Sequence, residues 1–374
     1  MEGFRESIEN RHDYAKDWKA RTGRKVLGYF CTYVPEEIIY AAGMLPVRII
    51  GSHESQTQTE RHIANMYCPF CRDCLAQGLK GYYSYLDGIV MAHGCQHIRQ
   101  AFASWQLHKP IEYSYYLSMP ALIQSPHAKS FLVKELSDFK KSLEEWTGNQ
   151  ISNNGIKKAI EVYNLNRRFL KQIYELRKNA NPPLSGAEAL EITLSSQLMD
   201  KAEHSRLLSE TLVRLQQGNE STKTGVRLML IGSENDDIDY LRAIESSGSI
   251  IVIDDTCTGS RYFWNECNLE GNLLDAIASR YIERPPCPAK DLPEHRRLPL
   301  ILDMAKDYKV EGVVITIQKF CHNHLTDLPV LKSLFQKEGI PVLVLEYAFT
   351  APIEWLQIRL GAFVEMIQSD LVWA

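Results

Sequence analysis

Short apolar runs alternate with helical segments over two long parts of the chain, and this alternation constrains the fold more than any other feature of the sequence. In the first part, apolar runs predict strands at 26–30, 45–50, 88–91 and 111–115. Residues 35–42 and 68–82 have the apolar spacing of helices, and Pro35 and Pro69 lie where proline suits a first helical turn. Alternating strands and helices are typical of a parallel sheet with helices on its faces.

A long helical region separates this part from a second one like it. Residues 125–217 have polar and apolar residues in helical spacing and few β-branched runs. After this region, apolar runs predict strands at 226–231, 250–253, 313–317 and 342–345. Because 374 residues exceed one ordinary core, we predict an α/β protein with two Rossmann- or flavodoxin-like parallel-sheet domains joined by a helical connector. The predicted parts are an N-terminal domain at 1–124, the connector at 125–222 and a C-terminal domain at 223–374.

The charge and the N-terminus of the chain limit its partners and its compartment. The formal net charge is −4 with both signs intermixed, whereas proteins that bind nucleic acid or anionic membranes usually carry a basic face. Residues 1–7 lack the apolar core of a signal peptide, and no stretch approaches the roughly 18 apolar residues of a membrane span. Nine cysteines, an odd number, are poor material for disulfides. We therefore expect a cytoplasmic protein with no nucleic-acid or membrane partner.

Two segments repeat one order of residues: an acid, a glycine, an apolar strand, a cysteine and a histidine. The first runs from Asp87 through Cys95, and the second from Glu311 through Cys321. Ligands bind open parallel sheets outside the carboxyl ends of the strands, so each cysteine is predicted to lie in a site-forming loop. If the two domains face each other, both thiols enter one cleft. Four histidines flank these cysteines, where they either tune or protonate a bound group or simply face solvent: His93, His97, His322 and His324.

The densest cysteine segment is Cys68-Pro69-Phe70-Cys71-Arg72-Asp73-Cys74. Its two-residue spacings are typical of zinc sites and of bacterial ferredoxin ligand runs, although a fourth nearby cysteine is missing. Buried apolar cysteines on one helix face are the alternative. Cys68 differs from Cys71 and Cys74 because it precedes Pro69 at a helix start, where the helix dipole favours the thiolate that a metal needs. The other cysteines are predicted to be structural: Cys31, Cys257, Cys267 and Cys287.

Charged residues near the second set of strands have two interpretations each. Asp254 and Asp255 follow a predicted strand at the rim of the cleft, where they either cap the turn and pair with Arg261 or take part in catalysis. A group of cations either clamps phosphates such as those of coenzyme A or forms a solvated loop: Arg280, Arg284, Lys290, Arg296 and Arg297. The sequence has neither Gly-x-x-x-x-Gly-Lys-Ser/Thr nor Gly-x-Gly-x-x-Gly, so any ATP is predicted to bind another chain.

The segment 28–46 resembles the opening signature of the benzoyl-CoA reductase and 2-hydroxyacyl-CoA dehydratase family, and the resemblance continues to the C-terminus. The family has a cysteine at a helix start, one in a Gly-Cys turn and one in a Lys-Phe-Cys turn, which match Cys68, Cys95 and Cys321. In that family these three cysteines bind a [4Fe-4S] cluster between two α/β domains. The resemblance implies no ligand role for Cys71 or Cys74.

The segment 254–264 is most similar to the small, C-type subunit of ATP-dependent benzoyl-CoA reductase. This resemblance implies an oxidoreductase subunit that takes part in low-potential electron transfer while the enzyme reduces benzoyl-CoA to cyclohexa-1,5-diene-1-carbonyl-CoA. It also implies a larger paralogous cluster-binding subunit, two activator subunits that bind ATP and Mg²⁺, and ferredoxin as the electron donor. His97 and His322 are the candidate catalytic residues.

Two other functions stay open. The small subunit of a 2-hydroxyacyl-CoA dehydratase, which is a lyase, has the same cysteines and a similar Pro-Glu-Glu signature. A structural metal-binding subunit that serves protein interaction would use zinc at Cys68, Cys71 and Cys74 instead. In either enzyme, the larger paralogous subunit is the expected place for the substrate, and the cluster of this chain is expected to pass electrons.

Overall fold

A computed structural model describes residues 1–54, 56–218, 223–348 and 352–369, and it contains every predicted strand. The N-terminal part also has a short 3-10 turn at Thr57–Thr59. Its helices and strands are α1 (Glu2–Glu9), α2 (Arg11–Thr22), β1 (Val26–Tyr29), α3 (Glu36–Ala41), β2 (Leu45–Arg48), α4 (Pro69–Lys80), β3 (Gly88–Ala92), α5 (Gln96–His108) and β4 (Tyr113–Leu117).

The predicted connector is helical, and side chains cap the starts of three of its helices. Ser152 accepts a hydrogen bond from the Gly155 amide, and Asp200 accepts from the first turn of the last connector helix. Ser185 and Glu188 form a reciprocal capping box. The connector helices are α6 (Ala128–Thr147), α7 (Asn153–Leu176), α8 (Gly186–Ser195) and α9 (Lys201–Gln216).

The C-terminal part repeats the alternation of strands and helices. It also contains a 3-10 turn at Pro288–Lys290. Its elements are β5 (Val226–Gly232), α10 (Ile238–Glu245), β6 (Ser249–Asp255), α11 (Ser260–Phe263), α12 (Leu273–Glu283), α13 (Arg297–Asp307), β7 (Gly312–Gln318), α14 (His322–Lys337), β8 (Val342–Tyr347) and α15 (Ile353–Gln368).

The strands of the described residues form two four-stranded parallel sheets with the same order, β2-β1-β3-β4 and β6-β5-β7-β8. This confirms the predicted α/β class with two parallel sheets. In each sheet the first strand along the chain lies between the second and the third, so successive crossovers leave in opposite directions. Such a switch point opens a crevice at the carboxyl ends of the two central strands.

The acid of the repeated acid-glycine pair has the same role in both sheets. The Asp87 carboxylate accepts a hydrogen bond of 2.8 Å from the Val26 amide at the start of β1. The Glu311 carboxylate accepts one of 2.8 Å from the Arg227 amide near the start of β5. The glycine that follows each acid opens the third strand, and a side chain at Gly88 would meet the Tyr113 carbonyl oxygen at 2.9 Å. The repeat therefore fixes where the third strand of each sheet begins beside the first.

The strands β1, β2 and β3 bury every side chain, as expected for a sheet covered by helices on both faces, whereas the edge strand β4 is only partly buried. Ile89 and Met91 of β3 face a core that includes Leu75 of α4. Val90, which points the other way, faces a core that includes Ile277 of α12. A helix from the C-terminal part thus covers one face of the N-terminal sheet.

Buried polar contacts join the two halves at the sheet ends. The Arg48 guanidinium at the end of β2 donates to both carboxylate oxygens of Glu234 after β5, at 2.6 and 2.7 Å. Arg284 donates to the Thr32 carbonyl after β1 at 2.7 Å. The sheets therefore meet with their carboxyl ends toward each other. The domain boundaries at 1–124, 125–222 and 223–374 stay a prediction, and none of the described helices is long and apolar enough to span a membrane.

Candidate functional site

Three helices begin at the three cysteines that the family resemblance selects. Cys68 is the N-cap residue of α4, Cys95 that of α5 and Cys321 that of α14. Cys95 follows β3 and Cys321 follows β7, so these two thiols occupy equivalent positions at the switch points of the two sheets. The first turn of a helix presents free amide hydrogens and the positive end of the helix dipole, both of which favour a thiolate.

The starts of α5 and α14 lie against each other. The rings of His97, in the first turn of α5, and His322, the first residue of α14, meet edge to face with centroids 5.0 Å apart. Tyr67, which precedes Cys68, packs on His97 at the same centroid distance of 5.0 Å. Residues before α4 and at the starts of α5 and α14 therefore meet at one place.

Cys68 is tied to both halves of the protein. Its backbone amide donates to Nδ1 of His97 at 3.0 Å, and its thiol donates to Oε1 of Gln318 at 3.5 Å. Gln318 is the last residue of β7 and is 5% exposed. Cys68 itself is 7% exposed, so its thiol is shielded from water although α4 begins there.

The thiol of Cys71 lies close to two of the three cysteines. A hydrogen bond with Cys71, opposed by burial and aided by His97, lowers the pKa of Cys68 to about 6. A hydrogen bond with Cys71 likewise lowers the pKa of Cys95 to about 7, again against burial. Burial, together with these two hydrogen bonds, raises the pKa of Cys71 well above its ordinary value. Cys68 and Cys95 thus form thiolates more readily than an ordinary cysteine does.

Cys321 differs from the other two in its electrostatics. Burial, followed by the nearby charge of Cys68, raises the pKa of the Cys321 thiol well above its ordinary value. Deprotonating all three thiols together therefore requires a positive charge among them, which a metal or cluster supplies. Within the described ranges, no group of three or more His, Cys, Asp and Glu side chains is arranged as a ligand set for a metal ion. The structure thus brings the thiols into one neighbourhood without preforming a metal site.

Two of the four flanking histidines meet at the site, and the other two lie apart from each other with different neighbours. His97 and His322 meet at the site, as described above. His93 is partly buried and lies against Tyr116 at a centroid distance of 6.0 Å. His324 is buried, and burial, with smaller effects of Arg261 and Arg297, lowers its pKa well below the ordinary value. The alternative that His324 faces solvent is therefore wrong. A catalytic role for His97 or His322 stays a prediction.

Of the other cysteines, some are structural, as predicted, and one lies beside the site. The Cys74 thiol is buried and donates to the Ile49 carbonyl at 3.7 Å. Cys267 is buried among apolar residues of α6, α7 and α12. Cys31 lies beside the site, since a side chain at Gly94 would meet its sulfur at 2.8 Å. Two contributors were missed: Cys31, which follows β1 at a switch point, and Gln318, whose signal is its place three residues before Cys321.

The acidic pair at the cleft rim has the structural role. Asp254 accepts hydrogen bonds from the Ser260 amide at 2.9 Å and from the Tyr174 hydroxyl at 2.7 Å. Asp255 lies between Arg261, at 3.3 Å, and Arg297, at 3.0 Å. Both carboxylates are buried and committed to partners, so they cap a turn and neutralise arginines.

The phosphate-clamp interpretation of the neighbouring cations does not fit their burial. Arg280 donates to the Tyr262 carbonyl at 2.7 Å, and Lys290 lies 3.3 Å from the Met119 carbonyl. Only Arg296 is exposed among the five cations considered. The remaining four are at most 3% exposed and serve internal contacts: Arg280, Arg284, Lys290 and Arg297.

Relatives of known activity match nearly the whole chain. The (R)-phenyllactyl-CoA dehydratase beta subunit of Clostridium sporogenes is 26% identical over 344 residues, covering 92% of this chain and 91% of that protein. The C-type subunit of benzoyl-CoA reductase from Thauera aromatica is 25% identical over 362 residues, covering 95% and 94%. The beta subunit of (R)-2-hydroxyglutaryl-CoA dehydratase from Acidaminococcus fermentans is 27% identical over 353 residues, covering 92% and 93%.

These proteins are enzyme subunits, and they include both kinds of enzyme that the resemblance of the sequence implied. A family model described as 2-hydroxyglutaryl-CoA dehydratase, D-component, matches residues 31–367. That range includes the C-terminal sheet, every strand of the N-terminal sheet except β1, and all three N-cap cysteines. The chain therefore belongs to the 2-hydroxyglutaryl-CoA dehydratase D-component family, which confirms the family that its sequence resembles.

Proposed function

We propose that Cys68, Cys95 and Cys321 bind a [4Fe-4S] cluster with which this chain transfers electrons in an enzyme that acts on an acyl-CoA. One observation carries the proposal: α4, α5 and α14 begin side by side, and each begins at a cysteine. Iron-sulfur clusters are held by cysteine thiolates, and helix N-termini stabilise thiolates. The donor set and its surroundings therefore fit the cofactor.

A cluster of this type, when bound, accepts and releases one electron at a potential that its surroundings set. The chain would supply three thiolates and keep water away from Cys68, which is 7% exposed. Because Nδ1 of His97 accepts the Cys68 amide hydrogen, a neutral His97 carries its proton on Nε2. His97 therefore holds the backbone at Cys68 and keeps one proton at the site.

The reaction we propose first is that of ATP-dependent benzoyl-CoA reductase, in which benzoyl-CoA is reduced to cyclohexa-1,5-diene-1-carbonyl-CoA. The similarity of segment 254–264 to the C-type subunit supports this reaction, as does the 25% identity to the C-type subunit of the Thauera aromatica benzoyl-CoA reductase. The proposed partners are a larger paralogous cluster-binding subunit, two activator subunits that bind ATP and Mg²⁺, and ferredoxin. The proposed compartment is the cytoplasm.

The second candidate is the small subunit of a 2-hydroxyacyl-CoA dehydratase. The family model that matches residues 31–367 is named for such an enzyme, and relatives with 26% and 27% identity are dehydratase beta subunits. Both candidates use the same cysteines, so the site alone favours neither. The substrate that is converted decides between them.

The deciding experiment reconstitutes the chain anaerobically with its larger partner, the activator subunits, ATP and a reduced ferredoxin. Benzoyl-CoA and a 2-hydroxyacyl-CoA are supplied separately, and the acyl-CoA products are identified by mass spectrometry. Formation of the cyclic dienoyl-CoA supports the reductase. Conversion of only the hydroxy substrate to the enoyl-CoA refutes the reductase and supports the dehydratase.

The cluster is tested without any substrate. Anaerobically purified protein is expected to be brown and to give an EPR signal on reduction, and Cys95→Ser and Cys321→Ser are each expected to lose most of the iron. Cys267→Ser is the matched control, because Cys267 is a buried thiol far from the site in sequence and core. A colourless protein that holds stoichiometric zinc, and keeps it in Cys95→Ser, would establish the structural metal-binding alternative instead.

A further inference from the structure

The first free amide hydrogen of α4 is not accepted by the side chain of the N-cap residue. Every helix start leaves amide hydrogens without intrahelical partners, and the side chain of the N-cap residue normally accepts one from the second or third helical residue. Pro69, the first residue of α4, has no amide hydrogen, so Phe70 carries the first one that needs an acceptor. The Cys68 side chain, at the N-cap, makes no capping hydrogen bond.

Gln318 supplies the missing cap from the other sheet. Its Oε1 accepts the Phe70 amide hydrogen at 2.8 Å across 248 positions of sequence. Its Nε2 donates to the Glu234 carbonyl at 3.0 Å. These two contacts fix the orientation of the side-chain amide, because an amide hydrogen faces the oxygen and a carbonyl faces the nitrogen.

Gln318 also sets the start of the turn that leads to Cys321. Its carbonyl accepts the Cys321 amide hydrogen at 3.0 Å, and its own amide donates to the Ser233 hydroxyl at 2.9 Å. One buried residue thus closes the turn before one candidate ligand with its backbone and caps the helix of another with its side chain. The contact between the Cys68 thiol and Oε1, at 3.5 Å, is the longer of the two bonds to this oxygen.

We propose that Gln318 is a positioning residue that caps α4 across the interface between the two sheets, so that the Phe70 amide does not need the Cys68 sulfur as its acceptor. An N-cap serine or aspartate would use its own side chain for the cap, and a cysteine that did so would have its sulfur occupied. The cap from Gln318 exists only while the two halves are docked, so docking orients Cys68. This inference rests on the proposed function in one respect, the assignment of Cys68 as a ligand.

The first test uses metal-free protein and therefore does not depend on a cluster. Gln318→Leu removes both polar groups at similar size, and the rate at which iodoacetamide modifies each cysteine is followed by peptide mass spectrometry. The reaction of Cys68 is expected to become at least about fivefold faster, while that of Cys74 on the same helix does not change. A uniform rise at both cysteines reports general loosening and overturns the proposal, as does an unchanged rate at Cys68.

Two further variants separate capping from packing. Gln318→Glu keeps an oxygen for the Phe70 amide, and it is expected to restore most of the protection of Cys68. Thr316→Val is the matched control: Thr316 is a buried residue of the same strand, its hydroxyl has no hydrogen-bond partner among the described residues, and its replacement has a similar shape. If Thr316→Val exposes Cys68 as strongly as Gln318→Leu does, the role of Gln318 is refuted. If Gln318→Leu does not fold, Gln318→Met, which also lacks an amide oxygen for the Phe70 amide, is compared with Gln318→Glu: faster modification of Cys68 in the methionine variant alone supports the cap, and equal rates overturn it.

The second test uses the holoprotein. Gln318→Leu is expected to release iron to a ferrous chelator at least about fivefold faster than wild type and to change the EPR line shape, whereas Thr316→Val matches wild type in both. Equal release rates and identical spectra in all three proteins contradict the proposal. A wild-type protein without iron refutes the proposed cluster, and the alkylation of Cys68 in metal-free protein then decides the role of Gln318 by itself.

Discussion

Replacing Arg48 tests the buried ion pair that holds the two sheets together. The guanidinium is 1% exposed and bonds both oxygens of Glu234, which is 9% exposed. Removing one partner of a buried pair leaves a charge without compensation and costs about 3–5 kcal/mol. Arg48→Met is therefore expected to lower the free energy of unfolding by this amount near pH 8.

The cost of Arg48→Met should depend on pH in a direction that the structure fixes. Burial raises the pKa of Glu234 even beside Arg48, so the carboxyl left alone in the variant takes up a proton more readily still. A carboxyl whose pKa is higher in the folded protein contributes stability at low pH and loses it as pH rises through the folded value. Between the Glu234 pKa of the variant and the lower Glu234 pKa of wild type, the deficit should shrink by about 1.4 kcal/mol per pH unit.

Glu234→Gln is the contrasting variant, because the arginine it leaves behind stays charged at every pH used. Its deficit relative to wild type should not shrink on acidification. Urea unfolding of wild type and both variants, monitored by circular dichroism at several pH values between about 5 and 8, measures the two curves. Parallel curves for the two variants, or a loss below about 1 kcal/mol in Arg48→Met near pH 8, would refute this account of the interface.

Acid stability, turn strain and helix capping each have a substitution that measures them. Burial lowers the pKa of His204 to about 3, so the folded protein does not take up a proton on His204 between about pH 7.5 and pH 5, whereas the unfolded chain does below the ordinary pKa of 6.5. This difference lowers the free energy of unfolding as pH falls. His204→Gln should therefore reduce that fall by about 2 kcal/mol between about pH 7.5 and pH 5, measured by urea unfolding. Phe320→Gly should leave the unfolding free energy within about 1 kcal/mol of wild type, because Phe320 has a φ of 65° that glycine adopts without strain and is 37% exposed; a loss above about 2 kcal/mol contradicts this. Ser185→Ala should cost about 1 kcal/mol in thermal melts because its hydroxyl accepts the Glu188 amide hydrogen at 3.1 Å, and an unchanged melting temperature would show that the capping box is dispensable.

Six of the eight strands were readily predictable because every residue in them is buried. Parallel strands buried on both faces have nearly continuous apolar runs, whereas β4 and β8 are only partly buried. The ends of the strands were predicted less accurately: β4 covers Tyr113–Leu117, whereas the apolar pattern predicted a strand at 111–115. Residues 111 and 112 are followed by Tyr-Ser-Tyr-Tyr-Leu, a segment of strand-forming residues that continues to 117, so pattern alone does not fix the ladder.

The candidate ligands were predictable to different degrees. Cys95 and Cys321 were singled out by two features together: each follows a strand at the carboxyl end of a parallel sheet, and each ends the repeated order of acid, glycine and apolar strand. The first feature alone would also have selected Cys31, which follows β1. Cys68 was selected by its proline and by the family resemblance. Gln318 had only its place three residues before Cys321 as a signal, because its side chain acts on a helix 248 positions away and only the docking of two sheets brings them together.

For the cations at 280–297, the sequence suggested exposed or ligand-binding side chains where most of the side chains are in fact buried. A proline-rich run with several arginines resembles a solvated loop or an anion clamp, and composition does not reveal burial. Their partners are backbone carbonyls of distant segments and two carboxylates, Asp255 and Asp327. Each of these contacts depends on tertiary packing, which a local pattern cannot encode.

The burial of these cations bears on how two similar halves would build the one asymmetric site that we propose. Each half carries one proposed ligand after its third strand, and the N-terminal half carries the further proposed ligand Cys68 between its second and third strands. The cysteines in the corresponding segment of the C-terminal half are not proposed ligands: Cys257, Cys267 and Cys287. In the C-terminal half the corresponding segment carries Arg297, which bonds Asp255 at 3.0 Å and Asp327 at 2.5 Å. Asp327 lies on α14, the helix that begins at Cys321. In the proposed site, the N-terminal half thus uses this segment to supply a ligand, whereas in the C-terminal half Arg297 of the same segment holds in place the helix that begins at Cys321.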